Sequence, residues 1–303
     1  MQTLRFADPI TVTQYPLPIS KAIAWEPAGD GGWQTSIDLP ALRAGDIVAP
    51  SLSVLERGSY RFRFTLTARG KDYPLRPVPS DAEEGRAKDP TDSVIRTAID
   101  CYHVDANLGS CRLLVRFEGD GKPDRYLLAV STRPVDLEPM PLEVPSPVRA
   151  PPPPRHSQML ENPRIAARIC SPVSTAMVIA MRRRDVDYGD VVAACLDPVT
   201  GMYGLWPLAI RAASRYGLIG AVELIDGWQP VLPFLVRGMP VVASIRYGEN
   251  ALPGAPQRST AGHLVVVHGI DATTVHVNDP AAPDHGSVYR RYPIEAFSRA
   301  WFR

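Results

Sequence analysis

Between Leu137 and His156 stand Pro139, Pro141, Pro145 and Pro147, followed by four consecutive prolines, Pro151 to Pro154. Proline fixes φ and lacks a backbone N–H, so such a stretch supplies neither a helix interior nor a central strand. It favours extended polyproline geometry and divides the 303-residue chain into two parts of different texture. At about 150 residues per domain the length also allows two. Residues 1–138 are expected to form one domain, 139–155 a semi-rigid linker, and 156–303 a second domain.

The first part reads as short strands. Ser59 to Ala68 (SYRFRFTLTA) alternates aromatic or aliphatic residues with polar ones at period two. The runs Arg112–Phe117 and Arg125–Ser131 are similar, and glycine-rich turns at 29–32 and 119–123 separate such runs. Many short strands without a helical period predict an antiparallel β-sandwich. Beyond the prolines, helical and strand signals mix, so the expected fold class is α+β.

Apolar content of 45% and charged content of 21% describe a globular chain. Lys+Arg 33 against Asp+Glu 32 leaves a formal charge of +1, which gives no electrostatic footprint for nucleic acid or an anionic membrane. No apolar run nears the roughly 18 residues that span a bilayer. The first residues, MQTLRFADP, lack the basic start and apolar stretch of a secretory signal, so a cytoplasmic location is expected. Four cysteines are too few for a disulfide scaffold. Cys101 and Cys111 could meet across a hairpin, but two half-buried thiols on neighbouring strands is the preferred reading. Cys195 is expected in a helix interior as a small core residue. The run Arg182–Arg184 should end a helix, where cations complement the dipole.

Two stretches carry chemistry. Gly262-His263-Leu264-Val265-Val266-Val267-His268-Gly269 and Val275-His276-Val277-Asn278-Asp279-Pro280 read as strands joined by a tight turn near Asp271. A turn centred there sets His263 directly opposite Asp279, about 5 Å apart at Cβ. Far upstream, Cys170 opens a helical run with apolar residues at Val173, Ala176, Met177, Ala180 and Met181, one buried stripe. If that stripe packs on the sheet face that carries His263, Val265, Val267, Val275, Val277 and Asp279, the thiol reaches His263. A cysteine heading a helix, with a histidine oriented by an aspartate, is the layout of a thiolate nucleophile. His263 would hold the ion pair and protonate the leaving group, and Asp279, expected to be exposed before Pro280, would fix the imidazole tautomer. The bland alternative is a small buried cysteine, a satisfied histidine and a turn aspartate. The rival chemistry is a metal site, since His263, His268, His276 and His285 crowd one region. Strand alternation sets His268 and His276 on the opposite face from His263, with only Asp271 as a nearby acid, so no metal is expected. Neither a phosphate loop nor a dinucleotide fingerprint is present, and the chemistry proposed needs no cofactor.

From Ser157 to Phe302 the chain resembles the cysteine-peptidase family 39-like proteins, relatives of bacteriocin-leader peptidases with a papain-like fold. The matching words are Cys170-Ser171-Pro172 entering a helix, Tyr203-Gly204-Leu205-Trp206-Pro207, Gly262 to Val267, Asn278-Asp279-Pro280-Ala281, and the closing Tyr292 with Trp301. The resemblance implies a papain-like peptidase domain after the β-sandwich, with Cys170, His263 and Asp279 as catalytic residues and a peptide or protein as substrate. The N-terminal part, including Ile95 to Asp100, looks like the sandwich that precedes the peptidase in some members; a ligand for it is unknown. Papain-like enzymes place an oxyanion-hole glutamine a few residues before the cysteine, whereas the nearest here is Gln158, twelve residues upstream. Glu161 to Arg164 could loop out and leave Gln158 in place; otherwise backbone N–H groups at the helix start carry the oxyanion. Tyr203, Gly204 and Trp206 could line a substrate cleft or simply pack. The glycine- and proline-punctuated stretch from Arg246 to Thr260 could form a flexible rim over the cleft or an ordinary loop. The expected activity is cysteine-dependent hydrolysis of a peptide bond. An acyltransferase or transglutaminase-like enzyme would use the same three residues, and a catalytically idle peptide- or glycan-binding protein is the third reading.

Overall fold

In a computed structural model of the chain, residues 2–20, 22–55, 58–81, 94–135 and 146–302 are described. The expected boundary at 138 and the first part of the linker, 139–145, lie outside them. Two compact units result: Met1–Asp136 together with Leu196–Leu224, and Leu137–Cys195 together with Ile225–Arg303.

In the first unit, β1 (Gln2–Ala7) and α1 (Pro9–Gln14) precede nine further strands: β2 (Glu26–Pro27), β3 (Trp33–Leu39), β4 (Asp46–Val54), β5 (Arg61–Ala68), β6 (Lys71–Pro74), β7 (Ile95–Ala98), β8 (Cys101–Val104), β9 (Cys111–Glu118) and β10 (Tyr126–Pro134). They form two antiparallel sheets, in the orders β1-β10-β4-β8-β7 and β2-β3-β9-β5-β6. The period-two pattern works as expected in β5, where Phe62, Phe64, Leu66 and Ala68 point inward and the residues between are half-exposed. Inward residues of both sheets, among them Leu52, Leu128 and Val130 from one and Phe62, Leu113 and Val115 from the other, share a single core, as in a sandwich. Cys101 and Cys111 are free, and Cys101 hydrogen-bonds the carbonyl of Ala98.

The second unit begins with β11 (Val148–Arg149), so the proline-rich segment contributes a short edge strand. Its partner at Arg149 is Gly269, where a Cβ would come within 2.9 Å of the Arg149 side chain and 3.2 Å of the Val148 carbonyl oxygen. Then come α2 (Cys170–Ala180) and α3 (Tyr188–Ala194). Asp187 caps α3 by accepting from Gly189 and Asp190 N–H groups. Cys195 is fully buried but stands at the C-cap of α3 rather than in its interior. The exposed Arg182–Arg184 run follows the end of α2.

Next, α4 (Trp206–Arg215) belongs to the first unit, which departs from the expected boundary. The reason lies in the outer face of β4 and β10, which presents the serines 51, 53 and 131 instead of a solvated surface. The N–H groups of Val222 and Gly220 donate to Ser51 and Ser53, Ser131 donates to the Val222 carbonyl, and Ser53 pairs with Ser214 at 2.9 Å. Arg5 of β1 makes two 2.7 Å bonds to Glu223. All three serines are fully buried, so segment 196–224 supplies the cover that the sheet needs.

The chain then completes the second unit with α5 (Leu232–Val236), β12 (Val241–Tyr247), β13 (Thr260–Ile270), β14 (Thr274–Asn278), β15 (Tyr289–Pro293) and α6 (Ile294–Trp301). β13 pairs with β11, β12 and β14, and β14 with β15, all antiparallel. The turn at Asp271 is built by its carboxylate, which accepts from Thr273 and Thr274 N–H groups at 3.0 and 2.8 Å. The register differs from the expected one. Ile270 faces Val275, so the hairpin centres between Ala272 and Thr273 rather than on Asp271; a bulge at His268 then inserts one residue into β13, so that Gly269 faces His276 while Val267 faces Val277. Val265, Val267, Val275 and Val277 enter a core with Trp228, Tyr292 and Phe297, and no α2 side chain belongs to it. Helix α2 is instead buried nearly all round, from Ser171 to Met177, where one stripe was expected. Its Ser174 hydroxyl donates to the Leu264 carbonyl, and Asn278 Nδ2, on the face opposite Val277, approaches Met177 Sδ at 3.8 Å.

Candidate active site

Helix α2 starts at Cys170, and its N-cap residue, Ile169, makes no side-chain capping bond; the Ser171 N–H bonds the Cys170 sulfur instead. Strand β13 brings His263 beside it. Continuing the pairing of Val267 with Val277 puts Val265, not His263, opposite Asp279. His263 and Asp279 are therefore diagonal neighbours on one face, a separation that long or planar side chains bridge. His263 Nε2 and Asp279 Oδ1 lie 2.8 Å apart. The other ring nitrogen is left for the thiol, which hydrogen-bonds His263. The three residues are thus in mutual reach although the register that suggested it is not the one formed.

Both partners are buried: His263 is 2% exposed and Asp279 0%, against the exposed aspartate expected before Pro280. A carboxylate there must be paired and fully bonded. Oδ1 also accepts from the Ala281 N–H at 2.9 Å, and Oδ2 accepts from the Tyr292 hydroxyl at 2.6 Å. Burial by itself would raise the Asp279 pKa, but the bonds from His263, Tyr292 and Ala281 hold it below the usual carboxylate value. Burial likewise works against an imidazolium at His263, yet the bonds to Asp279 and Cys170 raise it to about 10. Burial also disfavours the Cys170 thiolate; the hydrogen bond and charge of His263, with the N–H groups of Leu264 and Ser171, outweigh it and lower the thiol below its ordinary value. Both shifts run in the direction that favours a thiolate–imidazolium pair. By contrast, burial and Asp100 push Cys101 up to about 12, and burial raises Cys111.

Gln158 is buried in a short 3-10 turn, Gln158–Leu160. Its N–H donates to the carbonyl of Pro280, next to Asp279, at 2.9 Å. Its Nε2 donates to the Ala166 carbonyl at 2.7 Å, closing residues 161–165 into a loop whose Asn162, Pro163 and Arg164 are exposed. One amide hydrogen remains for another acceptor. Tyr203, Gly204 and Trp206 lie in the first unit, not in the unit that holds Cys170. There Trp206 begins α4, its N–H donating to Asp100 at 3.1 Å. The stretch from Arg246 to Thr260 closes on itself: Asn250 N–H donates to the Arg258 carbonyl at 2.7 Å, and Leu252 is buried.

His268 and His276 pack together with Tyr289, 6.3 Å between the imidazole centroids. His276 bonds Tyr289 and Asp271, and burial with the nearby cations lowers His268 to about 4. Among the described residues no group of three or more His, Cys, Asp or Glu is arranged to hold a metal ion, and no helix is long and apolar enough to cross a membrane. Sequence reasoning missed the partners that join the site: Ser174 and Ala281, the Leu264 peptide, and the Tyr292 hydroxyl. Tyr292 and Ala281 stood among the family-like words, but nothing in the sequence assigned them a role at the site.

Residues 153–303 match the model of the Peptidase_C39 like family. No curated protein matches. Among solved structures, a double glycine motif protease from an AMS/PCAT transporter, in complex with the leader peptide, is 22% identical with a TM-score of 0.34; the match covers 52% of this chain and 92% of that one.

Proposed function

The segment 153–303 belongs to the Peptidase_C39 like family, and on that premise we propose that the protein is a cysteine peptidase acting on a peptide or protein through Cys170, His263 and Asp279. The observation that carries this reading is the contact of the Cys170 thiol with His263, itself bonded at 2.8 Å to a fully buried Asp279. The thiolate attacks the substrate carbonyl carbon, and the tetrahedral oxyanion takes hydrogen bonds from the α2 start, with the free amide hydrogen of Gln158 as a further donor. His263 gives its proton to the leaving amine as the C–N bond breaks, which leaves a thioester on Cys170. Neutral His263 then takes a proton from water, the hydroxide cleaves the thioester, and the acid product leaves with the thiolate–imidazolium pair restored. No cofactor takes part in these steps. Asp279 stays ionised throughout and keeps the Nε2–H tautomer of His263.

The test is intact-mass analysis after iodoacetamide or an epoxide cysteine-protease inhibitor, with peptide mapping, beside peptide cleavage by wild type and Cys170→Ala. A single adduct on Cys170 and loss of cleavage in the variant are expected. Cleavage that survives Cys170→Ala would end the proposal, and product formation that requires an added amine would make the enzyme a transferase.

A further inference from the structure

Tyr292 stands on β15 opposite Val275 and is fully buried, its ring stacked on Phe297 at 6.0 Å between centroids. For that packing a phenylalanine would serve equally, and a buried hydroxyl without an acceptor is costly. The acceptor here is Asp279 Oδ2 at 2.6 Å, while Oδ1 takes the bonds from His263 and Ala281. Held through Oδ1 alone, the carboxylate could rotate about Cβ–Cγ and swing the imidazole with it. The hydroxyl closes that freedom and supplies a donor to a fully buried oxygen. The geometry points to Tyr292 as a positioning residue that holds the Asp279 carboxylate ionised and in plane, so that His263 keeps the orientation that serves Cys170. This rests on the peptidase reading above.

The ionisable groups that face Asp279 are His263 from β13, Tyr292 from β15 and Tyr247 from β12, with the charge of Arg290 acting on Tyr292 and Cys170 reached through His263. Burial and Asp279 keep Tyr292 protonated far above its ordinary value, so it remains a donor across the working range. Of the groups around the carboxylate, Tyr292 is the one whose donor can be removed without taking away the ring or the backbone.

Tyr292→Phe in the full chain is the test, read by the pH profile of Cys170 alkylation with iodoacetamide and by peptide turnover. A carboxylate that loses one of three donors while staying buried becomes easier to protonate. The acid limb should move up by about one pH unit, and kcat should fall roughly tenfold with KM little changed. A purely structural role would lower the melting temperature and leave the profile in place. A Tyr292→Phe profile that superimposes on a wild-type profile of a reactive Cys170 overturns this inference alone. A wild-type Cys170 no more reactive than Cys101 overturns the peptidase reading and this inference together. Should Tyr292→Phe not fold, the wild-type Tyr292 hydroxyl proton is observed by NMR. A slowly exchanging resonance that is lost across the acid limb supports the inference, and a freely exchanging one ends it.

Discussion

At the residue scale, the three side chains of the proposed site stand out in the sequence because their chemistry is rare and their positions are marked: a cysteine at a helix start, a histidine near the start of a strand, and an aspartate before a proline. What the linear pattern withheld was burial. Asp279 looks like a turn residue, yet it is fully enclosed and accepts three hydrogen bonds. Asp279→Asn should therefore cost stability as well as turnover. Its amide would present a donor to Tyr292 or His263, leaving a buried group unsatisfied at about 1–3 kcal/mol. Chemical denaturation of wild type and variant measures that loss; an unchanged midpoint would show the carboxylate to be less enclosed than it is here. The pH dependence follows from the two shifts. Cys170 lies below its ordinary value, so alkylation should reach its plateau below the usual thiol range and stay high in alkali. In the proposed mechanism, cleavage also needs a proton on His263, which is present below its pKa and lost as pH rises through about 10. Cleavage should thus be bell-shaped where alkylation is not, with both limbs belonging to the coupled pair. Two profiles of the same shape would remove His263 from the proton transfer. Cys101, pushed up to about 12, should react slowest near neutral pH when compared with Cys170.

At the scale of elements, strands and the α2 helix were legible from their periods, while register was not. Alternation tells which residues share a face, and His263 and Asp279 do share one. It reveals neither the true centre of the hairpin, which lies between Ala272 and Thr273, nor the extra residue at His268, which shifts the pairs beyond it by one. The hairpin turn was visible at Asp271 because an aspartate that bonds the next N–H groups needs no distant partner. The helix was harder. Its apolar stripe suggested one buried side, but small residues such as Ser171, Ser174 and Ala176 let it be enclosed nearly all round. The link between α2 and β13 is the Leu264 peptide, whose N–H supports the thiolate and whose carbonyl accepts from Ser174. Ser174→Ala should destabilise the fold by roughly 1 kcal/mol and leave the carbonyl short of a donor. At the far end of β13, Gly269 lets β11 approach, and Gly269→Val should destabilise by about 1–3 kcal/mol through overpacking against Arg149. Thermal melts of both variants measure these losses. A neutral Gly269→Val would mean that β11 is not held against β13.

At the scale of the whole molecule, the two units have separate cores, and the first of them takes in Leu205 and Leu208 from beyond the prolines. Yet the chain order of the units is not the simple one. Segment 196–224 lies within the family-matched half and folds with the first unit. Nothing in its own pattern reveals this, because an amphipathic helix such as α4 states that it has an apolar side, not which core receives it. The signal was in the other partner: serines at 51, 53 and 131 on strands buried on both faces need hydrogen bonds from a covering segment. A consequence can be tested by cutting the chain. A fragment starting at Arg155 carries α4 but not β4 and β10, so Leu205 and Leu208 lose the core that they join, and Glu223 loses Arg5. A fragment ending at Asp136 keeps both sheets but exposes the serine row and loses the donors of Gly220 and Val222. Neither piece should melt cooperatively at the temperature of the full chain, and the fragment from Arg155 should associate through its uncovered apolar residues. Adding a peptide of residues 196–224 to the fragment ending at Asp136 should raise its melting temperature, since it restores the cover by mass action. Calorimetry and light scattering decide the matter. If the fragment from Arg155 is monomeric and melts as the full chain does, α4 is not held by the first unit, and the partition of the molecule follows the prolines after all.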